Sequence, residues 1–201
     1  MSLSAADLRL LRVFTAAVLG RFGELAELRR TAPSGEPDRR WREALLQVHI
    51  FAGIPRAVEA YAVLEAQGGL GSTQGEADAA PPEERHARGE QLFRRIYAGD
   101  APAVLGMLER QHPDFALWVI EHGYGRVLAR PGLEPRLREL LAVCALAALG
   151  QERQLASHVR GTLRCGGTRA ELDQALETLV GLVDPERLVH ARRVLEHFGA
   201  A

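Results

Sequence analysis

The chain has 201 residues, 47% of them hydrophobic and 25% charged, which is long and apolar enough for a sizeable core. Its 25 basic residues are all arginine and its net charge is −1, so no broad basic face drives nucleic-acid binding. Two cysteines, Cys144 and Cys165, fit neither a CxxC nor a metal pattern, and no apolar run reaches the ~18 residues of a membrane span. With no secretory leader before the first predicted helix, the expectation is a soluble, cytoplasmic protein without membrane or nucleic-acid partners.

Taken in order, the elements read as helices. Ser4-Ala5-Ala6-Asp7 is a capping box, opening an apolar helix that stops near Gly20. A second helix pair follows, turning at Phe51-Ala52-Gly53-Ile54-Pro55. Gln67 to Pro82, QGGLGSTQGEADAAPP, is poor in large apolar residues and reads as a linker or mobile loop. Further helices are predicted at about Glu84–Tyr97, Ala101–Arg110 and Pro113–Leu128. A hairpin about Gly150 comes next. Thr168-Arg169-Ala170-Glu171 caps a helix running to about Val183, and Asp184-Pro185 starts a last one ending at Gly199. No stretch alternates with period two, so the predicted fold class is all-α.

The chain also repeats itself. Shifted by 130, Leu10, Leu11, Val13, Ala17, Leu19, Gly20 and Leu25 fall on Leu140, Leu141, Val143, Ala147, Leu149, Gly150 and Leu155. After a one-residue slip, Ala44, Leu45, Arg56, Val58, Ala60, Val63 and Leu64 fall on Ala175, Leu176, Arg187, Val189, Ala191, Val194 and Leu195. The expected organisation is a partial helical unit over 1–66, a connection over 67–83, and a more complete unit over 84–201.

The hairpin about Gly150 carries the candidate chemistry. Glu139 precedes the glycine by 11 residues and His158 follows it by 8. At ~1.5 Å per residue these lie about 16 and 12 Å from the turn, within side-chain reach of each other across an antiparallel pair. A carboxylate there orients an imidazole and fixes its tautomer, making a general acid/base unit. Gln154 shares a helix face with His158. Spacing alone leaves open a core histidine, with Glu139 paired to a neighbouring arginine instead.

Three stretches, GRVLARPGLEPRLREL, ALAALGQERQLASHVRG and FAGIPRAVEA, resemble the carboxymuconolactone decarboxylase family of the alkylhydroperoxidase D-like superfamily. The likeness covers most of the chain outside the linker. It implies an all-helical fold of duplicated hairpin units and a homo-oligomer. The peroxidases of that superfamily carry Glu-x11-Cys-x2-Cys-x3-His. Here Glu139 and His158 match the outer positions, while Gln151 and Gln154 stand where the cysteines would be. Glutamine supplies no thiolate, so thiol peroxidase chemistry is the least favoured reading.

His158-Val159-Arg160-Gly161 instead matches the decarboxylase branch. The resemblance implies cofactor-independent decarboxylation of a small carboxylated lactone, with His158 as general acid/base and Glu139 as its partner. Arg138 and Arg160 are candidates to hold substrate carboxylates, with Gln154 and His49 as further pocket residues. A non-catalytic, small-molecule-binding family member is the alternative. The first unit has Arg9, Arg21, Glu24 and Leu28 at the four matching positions and so has no relay. His86, His122, His190 and His197 show no metal-ligand spacing, and no metal is expected.

Overall fold

A computed structural model describes residues 2–199, which are helical with no strand among them. The helices are α1 (Ala5–Leu19), α2 (Phe22–Arg30), α3 (Asp38–Ala52), α4 (Ile54–Glu65), α5 (Pro82–Tyr97), α6 (Ala101–Gln111), α7 (Pro113–Trp118), α8 (Pro135–Leu149), α9 (Glu152–Arg164), α10 (Arg169–Glu177) and α11 (Pro185–Phe198). A wider, π-type helix over Val119–Leu128 continues α7. No helix among the described residues is long and apolar enough to cross a membrane.

Local chemistry sets the helix ends. Ser4 and Thr168 both make complete capping boxes, with Asp7 and Glu171 reaching back. Gly20 and Gly150 close α1 and α8 in the left-handed conformation, at φ 67° and 71°, where a side chain would be strained. The Arg56 guanidinium lies over Gly20, and that of Arg187 reaches past Gly150 to the Ala148 carbonyl. The helix expected to run from Thr168 to Val183 ends instead at Glu177. Residues 178–183 turn, with Gly181 at φ 80°, because the chain must reverse before the Asp184 N-cap.

α1 and α8 pack against each other at the centre, and α3, α4, α9, α10 and α11 surround them. Leu10, Leu11 and Phe14 of α1 and Leu140, Leu141 and Val143 of α8 belong to one apolar core drawn from both ends of the chain. Each is 0–1% exposed, so each side chain contributes about 1.5–3 kcal/mol of transfer free energy. α5, α6 and the π-type helix enclose a second cluster around Phe93, Ile96, Ile120 and Tyr124. α5 and the π-type helix approach closely because Gly89 faces the Ile120 carbonyl and Gly125 faces that of Arg85.

The connection between α4 and α5 is tied down by charge. Arg42 pairs with Glu76, Arg88 with Asp78, and Arg29 donates to the Gly69 carbonyl. Leu70, 7% exposed, plugs into the main core. Beneath this segment lies a buried ion network. Glu43 on α3 accepts from Arg138 on α8 at 2.7 Å and from Arg130 at 3.0 Å.

Candidate functional site

The α8–α9 hairpin brings Glu139 and His158 together. His158 Nδ1 lies 2.9 Å from Glu139 Oε2. A carboxylate oxygen accepts, so Nδ1 carries the proton and the other ring nitrogen, Nε2, is left for chemistry. Glu139 is 0% exposed and His158 7%, so the pair sits in a low-dielectric setting where a hydrogen bond is strong. Glu139 lies on α8, which is buried from Leu137 to Ala148 and cannot shift without disturbing the core.

Gly161 makes the contact possible. A Cβ built there would overlap Glu139 Oε2 and lie 3.0 Å from Ile96 Cγ2 and 3.3 Å from Glu139 Cδ. The carboxylate thus occupies the space of a missing side chain. Its role was not foreseen from the sequence, yet a signal existed. A glycine inside a helix costs about 1 kcal/mol relative to alanine, so its presence one turn past His158 marks a close approach.

Aromatic residues of the second cluster border the relay. The Tyr97 and Tyr124 hydroxyls are 3.3 Å apart, and Phe93 packs tilted against the Tyr97 ring and edge-to-face against that of Tyr124. Burial, assisted by the charge of Glu139, holds both phenols above their ordinary range. Both cysteines are unsuited to thiolate chemistry. Burial pushes Cys144 up to about 12, while burial and the nearby Glu139 push Cys165 to about 11.

The other expected site residues disperse. Arg138, expected to hold a substrate carboxylate, lies in the core instead. It is 1% exposed and its fork is taken up by Glu43 and the Arg130 and Pro131 carbonyls. Gln154 is exposed, on the rim of α9. Arg160 is half-buried, with its guanidinium 4.9 Å from the centre of the Phe198 ring. His49 meets His122 of the π-type helix, with Nε2 to Nε2 at 2.7 Å. At the equivalent place in the first unit Arg9 pairs with Glu36 at 3.3 Å. Two cavities of about 400 and 410 Å³ flank α5 and α6, and neither has Glu139 or His158 in its lining. Among the described residues no group of three or more side chains is arranged to hold a metal.

Comparison with known proteins agrees with this architecture. Residues 113–197 match the sequence profile of the carboxymuconolactone decarboxylase family. That stretch runs from α7 to the last turn of α11 and includes Glu139 and His158. A 4-carboxymuconolactone decarboxylase from Acinetobacter baylyi is 32% identical over 92 residues, covering 44% of this chain and 69% of the relative. The chain belongs to the carboxymuconolactone decarboxylase family.

Proposed function

We propose that this protein catalyses decarboxylase-type chemistry on a small carboxylated lactone, with His158 moving the proton and Glu139 orienting it. The observation that carries the reading is the buried 2.9 Å contact between them. In the reaction, the bond from the ring carbon to the carboxylate carbon breaks and carbon dioxide leaves. The electron pair stays on the carbon framework and takes a proton from His158 Nε2. Before transfer Nε2 is protonated and Glu139 balances the imidazolium; afterwards the neutral ring keeps its Nδ1–H, and Nε2 regains a proton from water. The reading needs no thiolate and no redox partner, which suits Gln151 and Gln154 in place of a cysteine pair. The organisation that goes with it is an internal duplication, with α1–α4 and α8–α11 as corresponding four-helix units, assembled into a homo-oligomer in the cytoplasm.

A second reading is a family member that binds a small molecule without turning it over. It is favoured by the enclosure of His158 at 7% exposure. Incubation with 4-carboxymuconolactone separates the two. The catalytic reading expects carbon dioxide release that falls at least about 100-fold in His158→Ala, the usual scale for a general acid/base. Binding without release supports the second reading, and undiminished turnover in His158→Ala removes the role assigned to the histidine.

A further inference from the structure

His49 and His122 are 73 residues apart in sequence and meet between α3 and the π-type helix. Their rings are 4.9 Å apart at 61°, with the two Nε2 atoms facing at 2.7 Å. His49 Nδ1 also contacts the Leu46 carbonyl, one helical turn back. A carbonyl only accepts, so Nδ1 carries the proton and His49 Nε2 presents a lone pair. His122 Nε2–H must then be the donor between the rings. Both rings are open to solvent, His49 partly and His122 largely.

We propose that this pair is a two-histidine site for a divalent transition-metal cation such as Zn²⁺ or Cu²⁺. Imidazole nitrogen is a preferred ligand of these ions. The Nδ1–H bond to a backbone carbonyl is the arrangement that orients metal-ligating histidines and fixes their tautomer. With metal–nitrogen bonds of about 2.0–2.1 Å, tetrahedral ligands sit roughly 3.3 Å apart. The two Nε2 atoms therefore open by about 0.6 Å, a movement of side chains alone. The ion takes the place of the proton between the rings, and that proton moves to His122 Nδ1, so that both histidines bind as neutral imidazoles. Water fills the remaining positions. Arg126, whose charge acts on His122, opposes the ion and keeps the affinity moderate.

Calorimetric titration with ZnCl₂, and electron paramagnetic resonance with CuCl₂, test the site without any substrate. The full chain is expected to bind one equivalent, with two imidazole nitrogens on Cu²⁺. His49→Gln and His122→Gln should each weaken binding about tenfold or more, and the double variant should lose the site altogether. Absence of binding in the full chain, or equal binding in the double variant, overturns the proposal. The substituted side chains lie at the surface, and thermal unfolding confirms that the variants fold.

Discussion

Gly161→Ala tests whether the space behind the relay is as tight as the geometry states. Gly161 lies inside α9 without a positive φ, so alanine suits its backbone and would by itself add about 1 kcal/mol of helix propensity. The new Cβ meets Glu139 Oε2 and lies 3.0 Å from Ile96 Cγ2. Glu139 and Ile96 are both 0% exposed, so neither yields easily. Overpacking of this kind costs about 1–3 kcal/mol, and loosening the His158 hydrogen bond costs about 1 kcal/mol more. The net expectation is a loss of about 1–3 kcal/mol, or roughly 2–12 °C in Tm for a chain of this size. Gly23→Ala is the matched control. It is helical and exposed, a Cβ there meets nothing within 4 Å, and it should gain about 0.5–1 kcal/mol. Thermal and urea unfolding give the stability, and the His158 imidazole resonances report the contact with Glu139. If Gly161→Ala gained stability like Gly23→Ala and left those resonances unmoved, the tight packing of the relay would be refuted.

Other outcomes follow from the same structure. Glu43→Ala strands Arg138 at 1% exposure and should cost about 3–5 kcal/mol by urea unfolding; a loss under about 1 kcal/mol would show that Arg138 finds another partner. Cys144 and Cys165 should resist a thiol reagent at pH 8 until the chain unfolds, because burial keeps both protonated, and rapid labelling of the folded protein would contradict this. Hydrogen bonds from Arg42 and Arg88 hold the Glu76 and Asp78 carboxyls below their usual range. Their contribution is therefore complete above the ordinary carboxyl value of about 4 and lost as pH falls through the lower folded values. Hydrogen exchange over residues 69–80 should show that the opening free energy is flat from pH 7 to 5 and drops only in more acid solution.

Much of the fold was written locally. The capping boxes at Ser4 and Thr168, the Asp184-Pro185 start and the turn glycines Gly20 and Gly150 act over a few residues, so their chemistry can be read directly from their order. The Glu139–His158 contact was legible for a related reason: one tight glycine turn fixes the register of two straight helices, and distance along the chain becomes distance in space. The early end of α10 at Glu177 was not, because reversal of the chain before Asp184 overrides helix propensity there.

What only the tertiary structure decided involves partners far apart in sequence. Arg138 looked like a substrate clamp because arginine binds carboxylates; which carboxylate it meets depends on α3 packing across α8, and that carboxylate is Glu43. His122 showed no ligand spacing and His49 read only as a pocket residue, because their meeting depends on the approach of α3 to the π-type helix. Gly161 stood in plain view beside His158, but the side chain filling its space comes from another helix. Side-chain type and local turn chemistry are properties of the sequence; the identity of a buried partner is set by the packing of helices, which no local pattern encodes.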